Sequence, residues 1–576
     1  FTAALRREFP NDYRPEAQWS VRLEPLQESL VGKVRPLLWV LLGAVAMMLL
    51  TGCANIANLL LARAAGRQRE VAVRQALGAA RGRLIRQWLT ESLILSLFAG
   101  IFGVLAAAST LRFLLTLIPS RLPRMNEVGL DWRVLLFALA VSLITGILFG
   151  LAPALTAAGF SVAEHLKEAT RGGTSRRQNF VSGVLVVVEF AICVVLTIGA
   201  GLLVRSFWKL TQLDPGFNAQ NVMTLRIWIP VPNDPATDIY AKVDQRAVFT
   251  REVLRRVSAL PGVAGAAVTT SIPLSGNINQ LRFTVENHTM QSGESPIGDV
   301  VSVTPGYFTV LGAPLLEGRF FAETDQTGAP GAVIVDRATA RKYWPNESAI
   351  GKRLKLGPLQ SPRPWSAVVG VVGDIRHDGM DIDGVPHIYF PIYQINGKAL
   401  GIVLRSQSNP ASLGEAARRE VQAVDPNLPV FGVRALDDML SDSLSQRRFS
   451  AQLMAAFAAL AILLAGVGIY GVLAYSISQR TREIGVRMAL GARRSEVMRM
   501  IFWQGGRLIL VGIGAGIASA FAFSRALSGL VYGVSLNDPL VFAGVPAVLI
   551  AVAAAASYFP ARRATRIDPI IALRCE

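Results

Sequence analysis

Cysteine is scarce in this chain: Cys53, Cys193 and Cys575 are the only three among 576 residues. They fall in or beside apolar stretches, and none lies in the long polar region between residues 205 and 450. No disulfide framework holds that region together; an oxidising compartment is tolerated but not used. Histidine is nearly as rare, with four residues, and no two have the HExxH-type spacing that sets imidazoles on one helix face. No Ser/His/Asp set stands out, and no stretch fits the glycine-rich, lysine-bearing loop that cradles nucleotide phosphates. Nucleotide hydrolysis by that route is excluded. The chain reads as a non-enzyme, with no catalytic residue, no cofactor site and no metal site. No signal peptide is visible, and the first residue is Phe1 rather than Met.

What the chain has in excess is apolar length. Hydrophobic residues make up 52% of it, and the mean hydropathy is +0.40. The excess is gathered into runs long enough to cross a bilayer, which takes about 20 apolar residues. Seven spans are predicted: Leu37–Leu61, Ser92–Leu111, Val134–Phe160, Phe180–Val204, Ala451–Ile477, Leu508–Ser524 and Pro539–Pro560. The expected fold class is therefore an α-helical polytopic membrane protein.

The formal charge of +18 suggests nucleic acid until the arginines are located. No soluble face interleaves them with aromatics, so nucleic acid is not an expected partner. Residues 62–91 hold seven Arg against two Glu, and residues 478–507, 165–177 and 562–574 are also net basic. By the positive-inside rule these four segments are cytoplasmic, which leaves residues 1–36, 112–133, 205–450 and 525–538 outside.

Two of the basic segments are nearly the same text. RQREVAVRQALGA runs from Arg67 to Ala79, and RTREIGVRMALGA runs from Arg480 to Ala492, 413 positions later. Aligned outward from them, Leu37–Leu61 matches Ala451–Ala474, APAL at Ala152–Leu155 matches FPAR at Phe559–Arg562, and Ser161–Glu168 answers Asp568–Glu576. Upstream, Phe1–Leu26 has the helix, proline turn and strand order of Pro410–Leu436. The chain thus reads as two repeats, the second whole, the first lacking its opening helix and most of an external domain. Residues 1–36 are expected to be the end of that first domain.

The polar region reads as mixed α/β. Met223, Leu225, Ile227 and Ile229 alternate on one face of a strand at Asn221–Val231, while Phe249, Val253, Val257 and Leu260 recur at helical spacing and stop at Pro261-Gly262. Further strands are predicted at Val263–Ser271, Gln280–Glu286, Val333–Val335, Ala367–Val372 and Gly401–Arg405, with a helix through Leu413 and Val424. This alternation favours small α/β sandwiches in two subdomains.

Several groups invite a chemical reading. Gly512, Gly514 and Gly516 echo a dinucleotide fingerprint, but they lie in an apolar helix, where the Gly512/Gly516 and Gly146/Gly150 spacing suits close helix packing. Asp374, His377, Asp378, Asp381 and Asp383 crowd one external stretch; it reads as a solvated loop between turn glycines, not a metal site. Glu189 lies inside the fourth span, where a carboxylate is costly. It reads as a neutral or hydrogen-bonded group between helices. A proton relay would need further ionisable groups at similar depth, and the other spans offer only Asn55, Asn58 and Gln452; a proton-coupled transporter using Glu189 stays as a rival.

The repeated loops offer more. Glu70/Arg74 and Glu483/Arg487 are placed for i,i+4 pairing, Val73, Ala76 and Leu77 share a face, as do Val486, Ala489 and Leu490, and Gly78 and Gly491 suit a helix stop. Topology alone asks only for charge; this pattern fits a short helix that docks on another protein.

EVAVRQALGA and EIGVRMALGA resemble the signature of FtsX-like permeases, the membrane subunits of ABC systems that include MacB-type exporters. PGYF at Pro305–Phe308, LGAPLLEGRFF at Leu311–Phe321, KYWP at Lys342–Pro345, VVGVVGDIRH at Val368–His377 and PHIYFPIYQ at Pro386–Gln394 resemble the MacB-like periplasmic core domain. The resemblance implies a division into 1–36 (end of a periplasmic domain), 37–178 (permease domain of three spans), 179–206 (opening helix), 207–449 (MacB-like periplasmic core) and 450–576 (second permease domain). It implies a bacterial inner-membrane location with the large domain in the periplasm. The partners it implies are an ABC ATPase subunit that binds the ATP, membrane lipid, and a periplasmic adaptor as a further candidate. Glu70–Gly78 and Glu483–Gly491 become coupling helices that pass ATP-driven motion to the external domain. The same motion could instead regulate a cell-wall hydrolase or another periplasmic partner without transport.

Overall fold

The computed structural model describes residues 2–8, 23–32, 34–66, 81–117, 129, 131–159, 173–232, 234–277, 279–288, 296–382, 385–479, 481–490 and 492–565. The long apolar runs are helices. In chain order, after the short helices Thr2–Glu8 and Leu26–Val31, these are α1 (Arg35–Gly66), α2 (Arg81–Leu117), α3 (Trp132–Gly159) and α4 (Gly173–Thr211). The polar region holds α5 (Val243–Ser258), α6 (Tyr307–Leu311), α7 (Arg337–Tyr343) and α8 (Ala411–Val424). The chain continues with α9 (Leu436–Gln479), α10 (Thr481–Ala489), α11 (Arg494–Phe523) and α12 (Pro539–Ala564). Among the described residues six helices are long and apolar enough to cross a membrane: α1, α2, α4, α9, α11 and α12. The third expected span lies in α3, which is apolar over Trp132–Ile147. The strand expected near the start of the chain lies outside the described residues.

The chain divides into two compact units, residues 1–207 with 447–576, and residues 208–446. The first is the helical unit. Its helices approach closely where side chains are small. A methyl on Gly512 would fall 2.7 Å from the Phe190 Cβ and 2.9 Å from the Val187 carbonyl oxygen. On Gly516, one turn later, it would fall 2.5 Å from the Val194 Cβ. This i,i+4 glycine face therefore seats α11 on α4, as the spacing predicts; Gly514, between them, has open space. Gly146 of α3 meets Ser96 of α2, while Gly150 falls outside the described side chains. At the start of α12, Asp538 accepts from the Leu540 N–H at 3.0 Å and pairs with Arg205 of α4. A capping carboxylate, with proline at the first helical position, fixes where the helix begins.

The second unit carries eleven strands: β1 (Val222–Trp228), β2 (Val263–Thr269), β3 (Gln280–Val285), β4 (Ile297–Val303), β5 (Leu315–Gly318), β6 (Ala332–Asp336), β7 (Arg353–Leu356), β8 (Ser366–Val372), β9 (His387–Pro391), β10 (Ala399–Ser406) and β11 (Val430–Ala435). The predicted strands and the two predicted helices are present within two or three residues of their expected ends. Strands β11, β1, β10 and β2 form a four-stranded antiparallel sheet. On one face Leu225, Ile227, Ile402 and Leu404 pack with Phe249, Val253 and Val257 of α5 and Ala417 and Val421 of α8. Helix α5 stops where Gly262 takes a φ of 86°, a conformation that costs glycine little.

The rest departs from the expectation of two sandwiches. β4, β3, β7, β8, β6 and β9 are successive neighbours, and β9 returns to pair in parallel with β4, so six strands close into a barrel. All six contribute to one core, through Phe283, Val300, Val333, Leu354, Val368 and Phe390 among others, with Tyr343 and Trp344 packed beside them. Inward residues filling a small barrel account for such a shared core. The second unit is one α/β sandwich continuous with one closed barrel.

Candidate functional site: a basic helix and two buried polar clusters

Of the two repeated motifs the described residues include one. Glu70, Val73, Arg74, Ala76, Leu77 and Gly78 lie outside them, as does Gly491. In the second motif the helix forms as predicted, over Thr481–Ala489. Glu483 and Arg487 pair across one turn at 2.7 Å, both about half exposed, a contact that adds about 0.3–0.5 kcal/mol to a helix. The helix is held from beneath by Ile484, 1% exposed and part of the helical unit's core. Sequence reasoning assigned no role to that residue, although its place in EIGVRM marks the opposite face. Outward, Val486, Arg487 and Ala489 are exposed, and Leu490 is 82% exposed. Leu490 therefore takes no part in the core that holds the helix. Beside it a cavity of about 460 Å³ is lined by Arg487, Glu496, Val497, Arg499, Met500 and Trp503. Its mixed lining, two arginines and a tryptophan around an apolar floor, suits a partner that presents acidic and apolar groups together.

The second cluster lies within the bundle. Glu189 of α4 is fully buried, and its Oε1 accepts from the Asn55 Nδ2–H of α1 at 2.7 Å. The same Nδ2 donates to the Leu464 carbonyl of α9 at 2.9 Å. Three helices meet at one amide. Gly468 of α9 leaves the space: a methyl there would fall 2.5 Å from Asn55 Oδ1 and clash with Glu189 Oε2. Asn58 is buried too, while Gln452 is exposed.

The third cluster corrects an expectation. The stretch from Asp374 to Asp383 is not uniformly solvated, because His377 is 2% exposed. Its carbonyl accepts from the Leu274 N–H at 2.8 Å, and its ring stands 5.1 Å from that of His387. His377 Nε2 lies 3.1 Å from the Tyr389 hydroxyl. Asp336 ends β6, caps α7 by accepting from the Thr339 N–H at 2.8 Å, and holds His387 Nδ1 at 3.1 Å. Burial pushes the His387 imidazole down, but the hydrogen bond to Asp336 and the neighbouring Asp299 and Asp378 outweigh it, so its pKa is raised. Burial and the charge of His387 hold His377 well below its ordinary value. The two rings titrate apart. Asp374, His377, Asp378 and His387 border a cavity of about 230 Å³; Asp383 lies outside the described residues. Among the described residues no three His, Cys, Asp or Glu side chains are placed to hold a metal ion.

These features define a polytopic helical membrane protein with an extracytoplasmic α/β domain. The family model for the FtsX-like permease C-terminal region matches residues 42–162 and 455–569, and that for the MacB-like periplasmic core domain matches 184–424. The chain belongs to the FtsX-like permeases that carry a MacB-like periplasmic core. It is 26% identical over 286 residues to a macrolide export ATP-binding/permease protein of Chromobacterium violaceum, covering 48% of this chain and 43% of that protein. It is 31% identical over 283 residues to a pyoverdine export ATP-binding/permease protein of Pseudomonas putida, covering 46% of this chain and 41% of that one. The matches thus span less than half the length of these relatives. The periplasmic region of MacB from Actinobacillus actinomycetemcomitans aligns with 15% identity over 40% of this chain and 95% of its own, with a TM-score of 0.27.

Proposed function

We propose that the protein is the permease subunit of an ABC-type export system in the bacterial inner membrane, with residues 208–446 in the periplasm. It turns the ATP-driven motion of a separate nucleotide-binding subunit into motion of that domain. The relatives named for ATP binding and permease function support the system class, and in this reading the ATP is bound by the partner subunit. The observation that carries the reading is α10, pinned by Ile484 and presenting Val486, Arg487, Ala489 and Leu490 outward. A lever has to be fixed on one face and free on the other. Glu70–Gly78 would be its twin in the first repeat. The chain enters and leaves the periplasmic domain through α4 and α9, and those helices would carry the motion.

The test pairs the purified protein with the nucleotide-binding subunit that co-purifies with it from native membranes. Arg74→Glu with Arg487→Glu is expected to abolish stimulation of the ATPase while the periplasmic domain stays folded. Undiminished stimulation in the double variant would falsify the docking role. ATP-dependent efflux from vesicles then separates export from a purely regulatory use of the same motion.

A further inference from the structure

The motif offset of 413 positions also aligns the preceding helices: 468 − 413 = 55, so Gly468 of α9 and Asn55 of α1 are the same position in the two repeats. In the structure these two residues meet, the Gly468 Cβ position lying 2.5 Å from Asn55 Oδ1. Three residues on, the Gly471 Cβ position lies 3.4 Å from Leu59 Cδ2, and Gly471 corresponds to Asn58 (471 − 413), next to Leu59. Both helices run toward their basic loops, so they cross at matching residues. Contact of a position with its own equivalent is what a two-fold axis produces. The repeats therefore face one another as two subunits of a symmetric dimer would.

At that axis the symmetry is broken. The first repeat has Asn where the second has Gly, and Glu189 of α4 reaches that Asn. The carboxyl of Glu189 is fully buried, and its side-chain hydrogen bond is the one from Asn55. Glu189 Oε2 and Asn55 Oδ1 are buried without a partner and both face the space over Gly468. Two second repeats brought together would place Gly against Gly and leave Glu189 without its amide. Two first repeats would force Asn against Asn at a crossing that accommodates one side chain. A buried polar group that only one partner satisfies selects that partner.

We infer that Asn55, Glu189 and Gly468 form a one-way key on an internal two-fold axis, which pairs the first repeat with the second and rejects pairing of either with its own kind. This rests on the reading that the fused repeats act as a dimer, yet it concerns their recognition of each other and not of the ATPase.

The test is cross-linking of Leu59→Cys with Gly471→Cys in native membranes, in the full chain with its own cysteines replaced by Ser and a protease site engineered between residues 161 and 172. Before cleavage an interchain bond doubles the mass of the chain and an intrachain bond does not; after cleavage a bond between unlike halves runs at the mass of one chain, and a bond between like halves of two chains at twice the mass of that half. The parent should give the intrachain product. Its absence would overturn the dimer-like pairing of the repeats itself. Asn55→Leu and Gly468→Asn should each lower the intrachain to interchain ratio by about three- to thirty-fold, the range expected for an interhelical polar contact in a membrane. Glu189→Gln, which still accepts from Asn55, should stay within about twofold of the parent on the same scale. Gly466→Ala, whose methyl would sit 3.7 Å from Val552 Cγ1, should change nothing. Unchanged ratios in Asn55→Leu and Gly468→Asn would overturn the key, as would an equal loss in Gly466→Ala, which would assign the effect to general packing. ATPase stimulation can fail in α10 variants with every cross-link intact, so the two readings fail separately.

Discussion

Leu490→Asp and Ile484→Ala lie six residues apart on one short helical segment and should act in opposite ways. Leu490 is 82% exposed, so a polar replacement gives up little packing, and folding stability should change by less than about 0.5 kcal/mol. Ile484 is 1% exposed; truncating it removes buried methylenes and leaves a gap, at a cost of about 2–5 kcal/mol. If Leu490 is the apolar anchor of the ATPase contact, its loss is that of an interface hot spot, about 2 kcal/mol. That corresponds to an equilibrium constant about 30-fold weaker. The assay measures binding of the nucleotide-binding subunit to nanodisc-embedded protein, with heat stability read on the same samples. Leu490→Asp should lose binding and keep its melting temperature, whereas Ile484→Ala should lower the melting temperature of the helical unit. Binding within about twofold of the parent in Leu490→Asp refutes the reasoning, since no outward apolar group on the described part of the helix is more exposed.

Glycine placement gives a second test: Gly512→Val drives a side chain into Phe190 and the Val187 carbonyl and should destabilise the bundle by about 1–3 kcal/mol. Gly514→Val enters open space and should be tolerated, as thermal unfolding in detergent would show. Asp538→Ala removes the cap of α12 and the partner of Arg205, and should cost about 0.5–2 kcal/mol; Asp538→Asn should recover most of the cap but not the ion pair. The imidazole pair predicts opposed pH effects. His377 has its folded pKa held below the ordinary 6.5, so the folded domain binds fewer protons than the unfolded chain there and loses stability as pH falls below that value. His387 has its folded pKa raised, and its contribution is complete below the unfolded value and lost as pH rises through the folded one. His377→Gln should flatten the acid loss, measured by hydrogen exchange in β8 and β9. An unchanged acid limb would remove His377 as its cause.

Much of the architecture was legible because it is written locally. The spans are length and composition, and the strand at Val222 and helix at Val243 show the periods their burial requires. The helix at Thr481–Ala489 was legible for a different reason: its sequence motif occurs twice in the chain. What escaped depends on distant residues meeting. Nothing near Asp299 announces that it pairs with His387, so barrel closure could not be read from alternation. His377, between turn glycines and aspartates, has the local signature of a solvated loop, yet β9 sets His387 and Tyr389 against its ring. Glu189 was suspect from its depth alone, and Asn55 was noticed, but that the two touch required the helices to be placed.

Closure of the barrel has a consequence for how this domain behaves among its neighbours. A strand with an unpaired side invites another chain to add to it. Joining β9 to β4 leaves most of the barrel without such a side; besides the four-residue β5, which pairs with β8 alone, the end of the strand order falls to β11. That strand is a poor template: its register slips against β1, Gly432 turns it with a φ of 62°, and Phe431 lies under the Arg226 guanidinium. Crowding many copies in a narrow compartment should therefore leave them separate rather than stitched into sheets.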